Sequence, residues 1–160
     1  MAVEILEIKK EHCPGALLIG KRYENVPDWN EWWANGWFDI LEKQPRLSFN
    51  DDAYIGAVRV VNGRPERWIG MIFPEDAKTP AGFEYVRISP LDFAVCYLYG
   101  KEGNGEFYAI QTHERCLQAL KEHQFIRDED NWCFERYQCP RFTTPDEHGC
   151  VILDYAISIL

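Results

Sequence analysis

The segment Trp132-Cys133-Phe134-Glu135-Arg136-Tyr137 carries the side chains best suited to chemistry. Aromatic and apolar residues alternate there with polar ones at period two, which predicts a strand. Side chains two apart share a face. Cys133, Glu135, Tyr137 and Cys139 therefore point one way, and Trp132, Phe134, Arg136 and Gln138 the other. A carboxylate flanked by rings is a poor core element, because burying an unpaired charge is costly. It is a good means of holding a cation or activating a water. Glu135 is the first candidate; its ordinary alternative is a residue paired with Arg136 or another cation.

Composition narrows the partners. Net charge is −9, with 46% hydrophobic and 27% charged residues, which fits a globular chain. An acidic balance speaks against direct nucleic-acid contact and against anionic membrane surfaces. It suits a neutral or cationic ligand. The aromatic share of 14% exceeds what packing asks of a chain this size, so some rings are expected to line a ligand surface. The six cysteines form no C-x-x-C pair and no histidines have metal spacing, so neither a metal nor a cofactor is expected. The first eleven residues lack an apolar signal region, and no apolar run is long enough to span a membrane. The expectation is a cytoplasmic protein with reduced thiols.

The elements that would position Glu135 follow from the pattern. Residues 3–8 and 16–23 read as strands around a turn at Pro14-Gly15, the second almost unbroken in its apolar run. Asp28, with Glu31 three residues on, opens a helix over 28–43. Trp29, Trp33, Trp37 and Leu41 recur every four residues along it. Strands 53–61 and 66–73 flank Asn62-Gly63, a strong hairpin signal. The order then restarts: strands at 83–88 and 91–99, a helix from Phe107 to Gln124, the Glu135 strand and a last strand from Cys150. Corresponding elements lie about 80 positions apart. One domain is expected, residues 1–160, with halves about 1–76 and 80–160. Short strand–turn–strand links favour antiparallel pairing within each half. The fold class is α+β: an antiparallel sheet, two main helices and a cleft between pseudo-symmetric βαββ halves.

With these residues in place, the chain resembles the GyrI-like small-molecule-binding domains, the effector-binding domains of bacterial multidrug-sensing regulators. The resemblance rests on Val3-Glu-Ile-Leu-Glu-Ile with Cys13-Pro14-Gly15, on Tyr54-Ile55-Gly56, on Pro80-Ala-Gly-Phe-Glu-Tyr-Val-Arg-Ile88, on Phe93-Ala-Val-Cys-Tyr97 and on Phe134-Glu135-Arg136-Tyr137. It implies a duplicated βαββ fold with a ligand cleft between the halves, in which Glu135 meets lipophilic cations. Tyr137 matches the same motif. The chain looks like the stand-alone members, some of which inhibit gyrase and some of which hydrolyse cyclopropane-bearing cytotoxins. The implied partners are thus a lipophilic cationic small molecule and, as an alternative, a protein such as gyrase or a regulator.

The lining rings are inferred from the chain itself: Tyr97, Tyr99, Tyr54, Trp68 and Tyr155, with Trp33 and Trp37 from the Trp-rich helix. Ring faces attract cations by about 0.5–2 kcal/mol each. Should the protein be an enzyme, Glu135 is the expected base and Tyr137 the expected proton donor. Whether the site binds or reacts is left open by these residues.

Overall fold

The computed structural model describes residues 2–45 and 53–160. Eight strands form one antiparallel sheet: β1 (Glu4–Cys13), β2 (Ala16–Tyr23), β3 (Tyr54–Val61), β4 (Arg64–Pro74), β5 (Glu84–Ile88), β6 (Leu91–Lys101), β7 (Cys133–Tyr137) and β8 (Cys150–Ile159). Their order across the sheet is β1-β6-β8-β7-β3-β4-β2-β5. Exchanging the halves (β1 for β5, β2 for β6, β3 for β7, β4 for β8) reverses this order and leaves it otherwise unchanged. The pseudo-two-fold axis thus passes between β3 and β7, and the expected duplication is present in the architecture.

The pairing of the leading strands differs from expectation. β1 does not pair with β2 but with β6, and β5 pairs with β2. Cys13 lies opposite Leu91 and Ala16 opposite Ile88, so the register carries across both corners. Pro14-Gly15 and Ser89-Pro90 are therefore bends in two long strands that run side by side. A two-residue link joins hairpin partners only when the chain folds back on itself; here it only changes direction.

One face of the sheet closes on itself. A single buried cluster takes Cys13 from β1, Leu18 from β2, Ile55 from β3, Trp68 from β4, Ile88 from β5, Phe93 from β6, Phe134 from β7 and Ala156 from β8. The other face carries the helices. α1 (Trp29–Ala34) and α2 (Trp37–Leu41) cover Leu17, Ile19, Ile69, Met71 and Phe73 in the first half. α3 (Ile110–Glu122) covers Ala94, Cys96, Leu98, Val151 and Leu153 in the second.

Both helical expectations need correction. The helix over 28–43 is broken at Asn35-Gly36, where Gly36 takes φ 64°. That left-handed conformation suits glycine and ends a helix. Trp29 and Trp33 therefore belong to a different helix from Trp37, and the four-residue stripe is not one face. Asp28 caps α1 as expected, accepting from the Glu31 N–H at 3.3 Å. Glu31 does not reach back; it accepts the Tyr23 hydroxyl at 2.5 Å. In the second half a 3-10 turn at Gly105–Tyr108 precedes α3. α3 buries Thr112, Cys116 and Leu120, while Ile110 at its start is 60% exposed. The Asn62-Gly63 hairpin forms as read, with both residues at positive φ (52° and 75°).

Candidate functional site

On the helical face, α1 from the first half and the 3-10 turn from the second flank the seam between β3 and β7. Tyr54 on β3 stands opposite Tyr137 on β7, and Gly56 stands opposite Glu135. β8 places Tyr155 on the other side of Glu135. Over this seam lies a cavity of about 480 Å³. Trp29 and Trp33 enter it from α1, Tyr54 from β3, Glu135 and Tyr137 from β7, and Tyr108 from the 3-10 turn. Phe142 and Thr143 close it from the loop between β7 and β8.

The rings brace one another edge to face. Trp29 meets Tyr137 at 5.0 Å, Trp33 meets Tyr54 at 5.1 Å, and Phe142 meets Tyr137 at 4.7 Å between centroids. Such pairs are favoured by the ring quadrupole and hold the walls in fixed orientations. Trp33 and Tyr108 remain more than half exposed and form the rim.

Glu135 is the charged group in this lining. Its surface is half-buried because it opens onto cavity space, yet protein surrounds the carboxyl closely enough that burial raises its pKa above the ordinary 4.5. A hydrogen bond from the Tyr137 hydroxyl, 2.5 Å from Oε2, opposes part of that shift. Among the described residues no cation lies within ion-pairing distance of Glu135, and no charged neighbour contributes to its shift. Tyr108 borders the same cavity as Tyr137, and its nearness contributes to the raised Tyr137 pKa. Tyr137 has one proton to give and gives it to Glu135. Burial, and then the Glu135 charge, push the Tyr137 pKa upward, so the phenol keeps its proton.

Gly56 makes the arrangement fit. A Cβ at that position would lie 3.1 Å from Trp29 Cζ2 and 3.5 Å from Glu135 Oε2. With hydrogen there instead, the Trp29 indole can lie across the strand beside the carboxylate. Beyond Trp29 is a second cavity of about 290 Å³, also lined by Glu135, together with Arg67, Val58, Cys133 and Tyr155. Trp29 and Glu135 border both.

The structure distributes the sequence-derived candidates unevenly. Glu135, Tyr137, Tyr54 and Trp33 meet at the first cavity. Tyr155 and Trp68 border the second. The Tyr155 hydroxyl is 2.6 Å from His113 Nδ1, and Trp68 belongs mostly to the core of the closed face. Tyr97, Tyr99 and Trp37 lie elsewhere. Trp37 packs on Trp32 and Phe83 with Lys21 Nζ 4.3 Å above its ring, because the break at Gly36 turns it away from the seam. The Tyr99 hydroxyl is 2.5 Å from Asp146. Tyr97 is on the opposite face, where its hydroxyl donates to Glu11 and accepts from Arg136.

That opposite face holds the second polar group of the seam. Arg136, 2% exposed, meets Asp154 at 2.7 Å and Glu11 at 3.1 Å. Arg141 also bonds Asp154, through Nε at 2.8 Å and through its terminal amino group. Arg136 is thus committed to other carboxylates and is not the partner of Glu135. Arg141 also anchors the loop that presents Phe142.

Trp29, Tyr108, Phe142 and Thr143 were not among the candidates. Trp29 stood in the tryptophan series and its proximity to the N-cap could have singled it out. Tyr108 and Phe142 lie in irregular segments, where periodicity carries no direction. Cys133 borders the second cavity, but burial raises its thiol pKa, against a nucleophile's role. All six cysteines are free thiols. No helix among the described residues is long and apolar enough to cross a membrane.

No protein-family model and no curated protein matches the sequence. Solved structures do. SAV2435 bound to tetraphenylphosphonium superposes with a TM-score of 0.64 at 16% identity, over 97% of this chain and 94% of that one. A putative bacterial transcription regulation protein from Staphylococcus aureus MU50 gives 0.60 at 13%, over 96% and 97%. The EcmrR C-terminal domain gives 0.60 at 10%, over 96% and 97%. The chain therefore has the fold of the GyrI-like effector-binding domains, as the resemblance implied.

Proposed function

We propose that this protein binds amphipathic, cationic aromatic small molecules in the seam cavity, with Glu135 as the counter-charge. The observation that carries this reading is a carboxyl enclosed among six rings with no cation among the described residues within ion-pairing distance. Burial of an uncompensated carboxylate is unfavourable, and a ligand cation restores the balance. Trp29, Trp33, Tyr54, Tyr108, Tyr137 and Phe142 offer aromatic walls around it, each ring face adding about 0.5–2 kcal/mol to a cation placed over it. The cavity volume falls in the range usual for small-molecule sites, about 300–1,000 Å³. The shared fold with SAV2435, whose structure holds tetraphenylphosphonium, supports the same reading.

Titration with tetraphenylphosphonium, followed by tryptophan fluorescence, tests it directly, since Trp29 and Trp33 line the cavity. Glu135→Gln is expected to weaken binding about tenfold or more, ~1.4 kcal/mol, and tetraphenylborate, of similar shape but opposite charge, is expected not to bind. Equal affinity of wild type and variant would remove Glu135 from the role.

The hydrogen bond from Tyr137 to Glu135 supports a second reading, hydrolysis of a strained electrophile such as a cyclopropane-bearing cytotoxin. A carboxylate with raised pKa takes a proton from water more readily than an ordinary one, and Tyr137 is placed to donate one. Product formation that disappears in Glu135→Gln would favour it over simple binding. Stoichiometric binding without product would exclude it.

A further inference from the structure

We propose that the second cavity is a subsite for the far end of the ligand, and that Arg67 recognises a hydrogen-bond acceptor or anionic group there. The inference rests on the binding reading above and specifies the ligand class. Both cavities reach Glu135, and Trp29 stands between them, so a molecule with its cation at Glu135 can extend past the indole edge into the second space. That space differs in chemistry from the first. Besides the rings of Trp29, Trp68 and Tyr155, the second has the aliphatic Val26, Pro27 and Val58 and a guanidinium, Arg67.

Arg67 sits on β4 opposite Val58 of β3, on the same side of the sheet as Glu135. Its neighbours are paired: Arg59 meets Glu66 at 2.7 Å, and Arg22 meets the same carboxylate at 3.9 Å. Among the described residues no carboxylate lies within ion-pairing distance of Arg67. Glu135 and Arg67 are separated by the single strand β3, so two inter-strand spacings, about 9.6 Å, lie between their strands. An anion and a cation at opposite ends of one space form a dipolar slot. It fits an aromatic cation bearing a carboxylate, ester or amide on a short chain. A second cation at that end would face Arg67 and be repelled.

Triphenylphosphonium probes separate these features. One carries an ω-carboxybutyl chain, one a pentyl chain, and tetraphenylphosphonium serves as the compact reference. The wild type is expected to bind the carboxylated probe at least fivefold more tightly than the pentyl probe. Arg67→Gln should abolish that preference and leave tetraphenylphosphonium affinity unchanged, which also reports an intact fold. Arg67→Lys, which keeps the charge, should retain part of the preference. The inference is overturned if the wild type shows no preference, or if the preference survives in Arg67→Gln. Failure of tetraphenylphosphonium itself to bind the wild type would instead bring down the binding reading, and this inference with it.

Discussion

Glu135 and Arg136 are neighbours in one strand and have opposite fates. Arg136 points into the closed face, where Asp154, Glu11 and the Tyr97 hydroxyl engage it. Glu135 points to the helical face, where a phenol is its hydrogen-bond donor and, among the described residues, no cation answers its charge. Both are enclosed by protein. The difference shows how two buried charges of one strand can serve two ends. A compensated charge organises structure, whereas an uncompensated one is tolerable where something else is to arrive.

The contrast can be broken most severely on the structural side. Arg136→Met leaves Asp154, which is fully buried, facing Arg141 alone, and leaves Glu11 without its guanidinium and with the Tyr97 hydroxyl as its remaining donor. Removing one member of a buried ionic group costs about 3–5 kcal/mol. Urea denaturation should show a loss of that size. A loss below about 1 kcal/mol would mean that the network is solvated and that the comparison overstates it.

Gly56→Ala probes the other side with less force. The added methyl must displace Trp29 by a few tenths of an ångström. Overpacking costs about 1–3 kcal/mol in a dense core. Here the indole borders open space on two sides, and replacing glycine restricts the unfolded chain by about 0.4–1 kcal/mol in compensation. Net stability should therefore change by less than about 1 kcal/mol, while tetraphenylphosphonium affinity falls severalfold because the methyl crowds Trp29 and the carboxylate. Unchanged affinity would show that Trp29 does not set the cavity wall.

The smallest expected effect concerns pH. Burial raises the Glu135 pKa, so the folded protein holds that proton more tightly than the unfolded chain. The resulting stabilisation is complete below the ordinary value of 4.5 and is lost as the pH rises through the folded value. Glu135→Gln, which cannot ionise, should melt above the wild type at neutral pH, with the gap closing toward pH ~4. A variant that melts lower at neutral pH would indicate a cationic partner for Glu135.

The alternation within Trp132–Tyr137 was sufficient to separate Glu135 from Arg136, because one face of β7 turned out to hold Phe134 in the core and the other to open onto the cavity. The same logic could not place Tyr97 or Tyr99. From Phe93 to Tyr99 β6 is buried or half-buried on both faces and carries no charged residue, so alternation has no sign there. Nor could local signals reveal the β1–β6 and β2–β5 pairings. A bend at Pro14-Gly15 and a reversal there have the same turn residues, and only the closure of the whole sheet distinguishes them. Asn35-Gly36 was legible as a break, but the regular spacing of the tryptophans masked it.

The exchanged leading strands have a consequence for how such a molecule could arise. Each half lends its first strand to the other, as two subunits do in an arm-swapped dimer. The loop between β4 and β5 then plays the part of a covalent tether between former subunits. Separated at that loop, each fragment would carry an orphan strand and an open sheet edge, and would recover its shape by finding the complementary fragment or a second copy of itself. In a symmetric ancestor of that kind, a residue at the seam would be present twice, once at Glu135 and once at Gly56. Duplication within one chain allows the two positions to diverge, one retaining a carboxylate and the other giving up its side chain to make room.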